Sequence, residues 1–331
     1  MALTNKRGIF SLEDVRIRQN TGYWSTSTGS LPANNPLEVR PFGYFGGGSI
    51  DRIDYSNDTA TASPKGSLSF TRQGLAATGN SFFGYFAGGN VTTTVDRIDY
   101  SNDTATASVK GPLSVARNRF AATGNSSFGY FGGGIYAYPN YTTSAVDRIN
   151  YSNDTATASP RGPLSSARSE FAATGNSSFG YFGGDRINYS NDTATALVRG
   201  PLAGIGPYSA TPYSLGATGN SSFGYFGGGR YLSGIQQYSN TATVSRIDYS
   251  NDTATASIRG SLSLARWRLS ATGNSSFGYF GGGVAPNGAE VSTVDRIDYS
   301  NDTSTASVKG PLTSGKALIA AASSLANGLP Q

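Results

Sequence analysis

The string Phe-Gly-Tyr-Phe, followed by Gly or Ala and a further Gly, begins at Phe42, Phe83, Phe128, Phe179, Phe223 and Phe277, with spacings of 41, 45, 51, 44 and 54 residues. After each copy comes Arg-Ile-Asp/Asn-Tyr-Ser-Asn-Asp-Thr, its arginine at Arg52, Arg97, Arg148, Arg186, Arg246 and Arg296. A period of this length constrains the fold more than any local propensity, because each unit must bury its faces against its neighbours. Short aromatic and β-branched runs between Gly and Asn turns read as strands. Radial repetition is how such an all-β chain protects its sheet edges. The expectation is a propeller of six four-stranded blades.

One unit is read as follows. The first strand runs through Phe120-Ala-Ala-Thr to the turn at Gly124-Asn125-Ser126, and the second is Phe128-Gly-Tyr-Phe. The third is Val146 to Tyr151, with Ile149 and Tyr151 on one face and Arg148 and Asn150 on the other. A turn at Ser152-Asn-Asp-Thr leads to a fourth strand from Ala156 to Ser159. The glycines that follow the aromatic strand allow close backbone approach.

The ends of the chain set the blade count. No Ala-Ala-Thr-Gly-Asn strand precedes Phe42, whereas Leu312 to Ser324 falls in register with Leu113 to Asn125. The C-terminal segment should therefore complete blade one and close the ring. The domain organisation expected is an arm over 1–41, the propeller over 42–325 and a tail over 326–331. In the arm, Ser11-Leu-Glu-Asp14 looks like a capping box with Phe10 and Val15 as its staple, giving one short helix from Leu12 to Gln19.

The repeat resembles the kelch family over about residues 42 to 325: an aromatic strand ending in paired glycines, then a strand with an aspartate-rich turn. The tryptophan usual in the kelch fourth strand is absent, and Ala or Ser stands in its place. The Ser-Asn-Asp-Thr-Ala-Thr turn also resembles a degenerate sialidase Asp-box, with Ala60 where that motif has Gly. Both resemblances imply a propeller hairpin and neither implies an activity. The segment Arg7-Gly-Ile-Phe-Ser-Leu-Glu-Asp-Val-Arg, with Trp24 beyond it, is similar to N-terminal segments of virion structural proteins of marine bacteriophages. That resemblance implies an assembly anchor made of Phe10, Leu12, Val15, Ile17 and Trp24, docking to other virion proteins. A packed N-terminal extension is the plainer alternative.

Function is sought in the loops. Those joining strands one to two and three to four are nearly uniform. Those joining strands two to three, and one blade to the next, emerge on the opposite face and carry the length variation, including Ile135 to Val146, Arg230 to Ser245 and Gly204 to Tyr213. They hold Tyr136, Tyr138, Tyr141, Tyr208, Tyr213, Tyr231 and Tyr238 among Gly, Ser, Asn and Pro, a mixture suited to adaptable recognition. Neutral insertion is the alternative. Arg72, Arg117, Arg168, Arg266 and Lys316 form a partial basic ring near this face, where an anion or acidic glycan could bind.

Other charges read as framework. The aspartates Asp58, Asp103, Asp154, Asp192, Asp252 and Asp302 suit Asx-type turns better than calcium loops. The Arg-Ile-Asp ladder, such as Arg97 with Asp99, suits inter-blade ion pairs, with a charged channel lining as the alternative. The chain has neither His nor Cys, which excludes thiolate chemistry and the commonest general base, and its net charge of +5 is dispersed. No catalytic residue, metal or cofactor is expected, and neither nucleic-acid binding nor membrane insertion. The start lacks the apolar stretch of a signal peptide. These readings combine into a non-catalytic bacteriophage virion appendage, assembled in the host cytoplasm, whose Tyr-rich face binds a host-surface glycan or protein. The alternatives are a cellular kelch-like scaffold for a protein partner and an atypical carbohydrate-active enzyme.

Overall fold

In the computed structural model, residues 41–137, 141–203, 211–235 and 237–325 are described, all within the unit Val39–Gln331. They form an all-β propeller of six four-stranded antiparallel sheets. Blade three is representative, with strands Ala121–Gly124, Phe128–Gly132, Val146–Asn150 and Ser159–Arg161 from the axis outward. The six innermost strands touch in a closed cycle around the axis. Blade one takes its innermost strand, Ala320–Ser323, from the C-terminal end of the chain, pairing it with Phe42–Gly46. The ring is closed as the register of Leu312 to Ser324 predicts. The proposed arm helix, the anchor residues Phe10, Leu12, Val15, Ile17 and Trp24, and the 326–331 tail lie outside the described residues.

Each residue of Phe-Gly-Tyr-Phe has its own packing role. In blade three, Phe131 faces back into the core shared with blade two, and Tyr130 faces forward into the core shared with blade four. Phe128 lies beneath the Arg148 guanidinium, 4.3 Å from ring centroid to carbon. Gly129 leaves room for Tyr151, because a Cβ there would stand 2.7 Å from that tyrosine's hydroxyl and 2.7 Å from Thr78 Cγ2 of blade two. The ring of Tyr130 stacks on Tyr189 of blade four at 4.7 Å, and the same stack recurs at every blade junction.

The structure exchanges the roles expected of the two aspartate sets. The Arg-Ile-Asp aspartate, or its Asn equivalent, makes the Asx-type turn: Asp99 accepts from the Ser101 N–H at 2.9 Å, and Asn150 from that of Ser152 at 3.0 Å. A 3-10 turn over Tyr151–Asn153 follows, which delays the fourth strand to Ser159–Arg161 rather than the expected Ala156 to Ser159. The Ser-Asn-Asp aspartate is the buried inter-blade acceptor. Asp192 takes the Tyr130 hydroxyl at 2.8 Å and the Arg148 guanidinium at 2.7 Å from the blade before it. A basic residue of the preceding blade's fourth strand, here Arg161, approaches the same carboxylate at 3.4 Å. The arrangement recurs around the ring and closes where Tyr279 and Arg296 of blade six meet Asp58 of blade one. Spacing could not separate the two sets, since the aspartates stand four residues apart and only the turn decides which points at the next blade.

Candidate functional site

Strand polarity places the two-to-three loops and the inter-blade segments on one face, as expected. Backbone bridges tie them together there: Thr92 with Arg117, Asn118 with Ile135, Tyr213 with Arg230, and Trp267 with Val284. Two loops extend into hairpins, Ile135–Ala137 with Tyr141–Thr142 and Arg230–Gly234 with Gln237–Asn240. Tyr136 and Tyr141 are 44% and 57% exposed with their rings 6.2 Å apart, and Tyr238 is 51% exposed. Tyr213 and Tyr231 are half-buried. Tyr213 meets Tyr238 edge-on at 6.1 Å. Tyr138 and Tyr208 lie outside the described residues.

The expected basic ring is corrected by its burial. Arg117 and Arg266 are fully buried, and each is paired at 2.8 Å with an aspartate of the blade it introduces, Asp147 and Asp295. Arg72 pairs likewise with Asp96 at 2.8 Å, and Lys316 with Asp51 at 2.9 Å. Arg117 also donates to the carbonyls of Phe131 and Ala145. Their charges are neutralised within the framework. Arg168 is more exposed, but it too has a carboxylate, Asp185, at 3.3 Å. Blade five departs from the pattern on both sides at once: Ser245 stands where the aspartate would be, and Pro212 where the arginine would be. A buried charge is costly without its partner, so the pair is lost together.

The distinctive chemistry lies two residues beyond the basic ring. Gly74, Arg119, Glu170, Ser214, Arg268 and Leu318 occupy one equivalent position in successive blades, at the rim of an axial cavity of about 120 Å³ walled by the innermost strands. All six have positive φ, from 53° to 70°. This conformation turns each backbone so that its N–H donates to the rim carbonyl of the preceding blade, at 2.5 to 3.0 Å, in an unbroken collar. Left-handed backbone costs a non-glycine residue roughly 1–2 kcal/mol; the collar bonds offset that cost.

The collar's side chains differ where the framework is uniform. Arg119 is paired with Glu170, whose second oxygen accepts from the Ser214 hydroxyl at 2.7 Å. Arg268 stacks on Trp267 at 3.8 Å, and Arg230 lies 4.2 Å from the same tryptophan and 4.7 Å from Tyr238. Burial, and then the positive charge of Arg119, hold the Arg268 guanidinium below its usual basicity. Burial also raises the Tyr213 phenol. Sequence reasoning missed Arg119, Glu170, Arg230, Trp267 and Arg268. For Arg119, Glu170 and Arg268 the signal available was the column itself, which changes residue type while the position of Ala122, three residues on, is alanine in all six repeats.

This arrangement can hold and orient a ligand between cationic and aromatic surfaces. Among the described residues, no cluster of acids is placed to hold a metal ion. No protein-family model matches the sequence. A comparison with curated proteins also found no match.

Proposed function

We propose that the chain is a non-catalytic recognition protein of a bacteriophage particle, held by its N-terminal arm and presenting the variable face of the propeller to the host surface. The observation that carries the recognition reading is the division of labour between the faces. Stacked tyrosines and Tyr–Arg–Asp contacts are spent identically at every blade junction. The exposed hairpin tyrosines and the mixed collar side chains belong to one face only. Rigid scaffolds that bind through loops divide their sequence in this way. The virion setting draws its support from the likeness of Arg7 to Trp24 to arms of phage structural proteins.

Blade four supplies the design of the test. Its second and third strands, Phe179–Phe182 and Asp185–Asn188, are joined directly through Gly183 and Gly184, so a blade closes without an extended loop. Replacing residues 136–142 of the full chain by a Gly-Gly connection, which keeps buried Ile135 and the framework carbonyls of Thr143, Ser144 and Ala145, should leave the melting temperature within a few degrees and weaken adsorption to host cells. Tyr141→Ala and Tyr238→Ala should do so in smaller measure. Unchanged adsorption by all three variants would refute recognition by this face. Mass spectrometry of purified particles tests the setting separately, and absence of the chain from them would refute it.

A further inference from the structure

Sixteen arginines lie among the described residues, and fourteen of them have a carboxylate within ion-pair distance. The described lysines, Lys65, Lys110, Lys309 and Lys316, are paired as well. The exceptions are Arg230 and Arg268, neighbours that share Trp267, the sole tryptophan among the described residues. Where every other described cation has a carboxylate partner, two adjacent guanidiniums without an ion pair need a cause. Their mutual repulsion is a cost that the nearby Glu170 charge offsets only in part, and that carboxylate makes its direct contacts with Arg119 and Ser214.

The surroundings hold these side chains for use. Arg230 is fixed at the start of its hairpin by two backbone bonds to Tyr213, each 3.0 Å, and its guanidinium lies against both Tyr238 and Trp267. Stacking grips a guanidinium by its face and leaves its N–H edge for an oxyanion, which a planar fork can bind at two points. Tyr238, which stacks on one face of this guanidinium, is itself half exposed. A half-exposed tyrosine suits the apolar face of a sugar, with its hydroxyl free to meet the polar rim. Two free cations at a rim do not make the extended basic stripe that a nucleic-acid backbone requires.

We propose that the rim between blades five and six binds an acidic residue of a surface polysaccharide, Arg230 and Arg268 taking its oxyanion and Tyr238 packing on the adjoining sugar. The proposal rests on the recognition reading above and names its ligand class. The oxyanion could be a carboxylate or a sulfate ester, and both are tested.

The experiment is calorimetric titration of the full chain with oligogalacturonate, with a sulfated galactan oligosaccharide and with a neutral galactan oligosaccharide of equal length. Host-cell adsorption is measured in parallel. The wild-type chain should bind at least one acidic oligosaccharide at least tenfold more tightly than the neutral one, and less tightly as salt rises. Arg230→Gln and Arg268→Gln should each lose tenfold or more, whereas Arg168→Gln, on the same face outside the stack, should bind normally. Thermal melts confirm that each variant is folded, and Arg268→Lys, which keeps the charge without the fork, should lose less than Arg268→Gln. Equal binding of acidic and neutral sugars, no binding of either acidic sugar, or full acidic binding by the double variant Arg230→Gln with Arg268→Gln would overturn the proposal. If the double variant still adsorbs to host cells, recognition stands and the acidic-sugar site falls. If the wild-type chain does not adsorb, the recognition reading itself falls.

Discussion

Asp147→Ser in blade three should be among the most damaging single substitutions outside the aromatic core. Arg117 and Asp147 are 0% and 1% exposed and 2.8 Å apart. Removing the carboxylate leaves the Arg117 charge buried with only carbonyls for partners, at a cost of about 3–5 kcal/mol. Arg117→Met leaves Asp147 without its cation but still held by the Ser114 N–H and hydroxyl, and it strips the donor from the Phe131 and Ala145 carbonyls. A loss of about 3 kcal/mol is expected for it. The double variant approaches what blade five already does with Ser245 and Pro212, and should cost about 2 kcal/mol, less than either single change. Urea denaturation of the four proteins of the cycle measures the coupling. For a unit of this size each kcal/mol corresponds to about 1.5–2 °C in Tm, so Asp147→Ser should melt about 5–10 °C early. The losses should hardly respond to salt, because a buried pair is poorly screened. Additive losses, or an Asp147→Ser cost below about 1 kcal/mol, would refute the reasoning.

Closure and acid sensitivity can be tested in the same way. Ending the chain after Gly315 removes the Ala320–Ser323 strand and Lys316, leaving Phe42–Gly46 as an unpaired inner edge and Asp51 without its cation. The transition should broaden and fall well below wild type, and a cooperative, unshifted melt would refute the latch. Gly111→Ala would place a Cβ 1.9 Å from the Ala156 carbonyl of the next blade. It should cost about 3 kcal/mol or more and can be read from the same urea curves; a change of under half that would show that the blades separate easily. Burial pushes the Asp58 carboxyl up, but hydrogen bonds from Tyr279 and Arg296, with the Arg296 charge, outweigh it and hold the group below the usual carboxylate range. A depressed carboxylate stabilises the fold above its unfolded pKa and ceases to do so as pH falls through the folded value. Stability should therefore be flat above about pH 5 and drop below about pH 4, and Asp58→Asn should flatten that drop; an unchanged acid profile in the variant would count against the seam at blades six and one.

The fold was legible because six copies of one unit act as repeated measurements of the same packing problem. Phe128, Gly129, Tyr130 and Phe131 recur because each meets a neighbour that also recurs, and the absent strand before Phe42 had only one place to be found. The roles of Asp99 and Asp103 were not legible, because a 3-10 turn decides which carboxylate reaches the adjacent blade, and no spacing rule encodes that turn. The burial of the basic column was not legible for a related reason. A column of arginines at Arg72, Arg117, Arg168 and Arg266 looks like a basic surface, yet a charge repeated in register with an equally repeated aspartate marks a pair. The more useful signal was asymmetry. At the collar, the backbone demands one conformation from Gly74, Arg119, Glu170, Ser214, Arg268 and Leu318 alike, but the side chains are released from any common packing duty. Where geometry is held constant and chemistry varies, the framework no longer dictates the residue, and a ligand can.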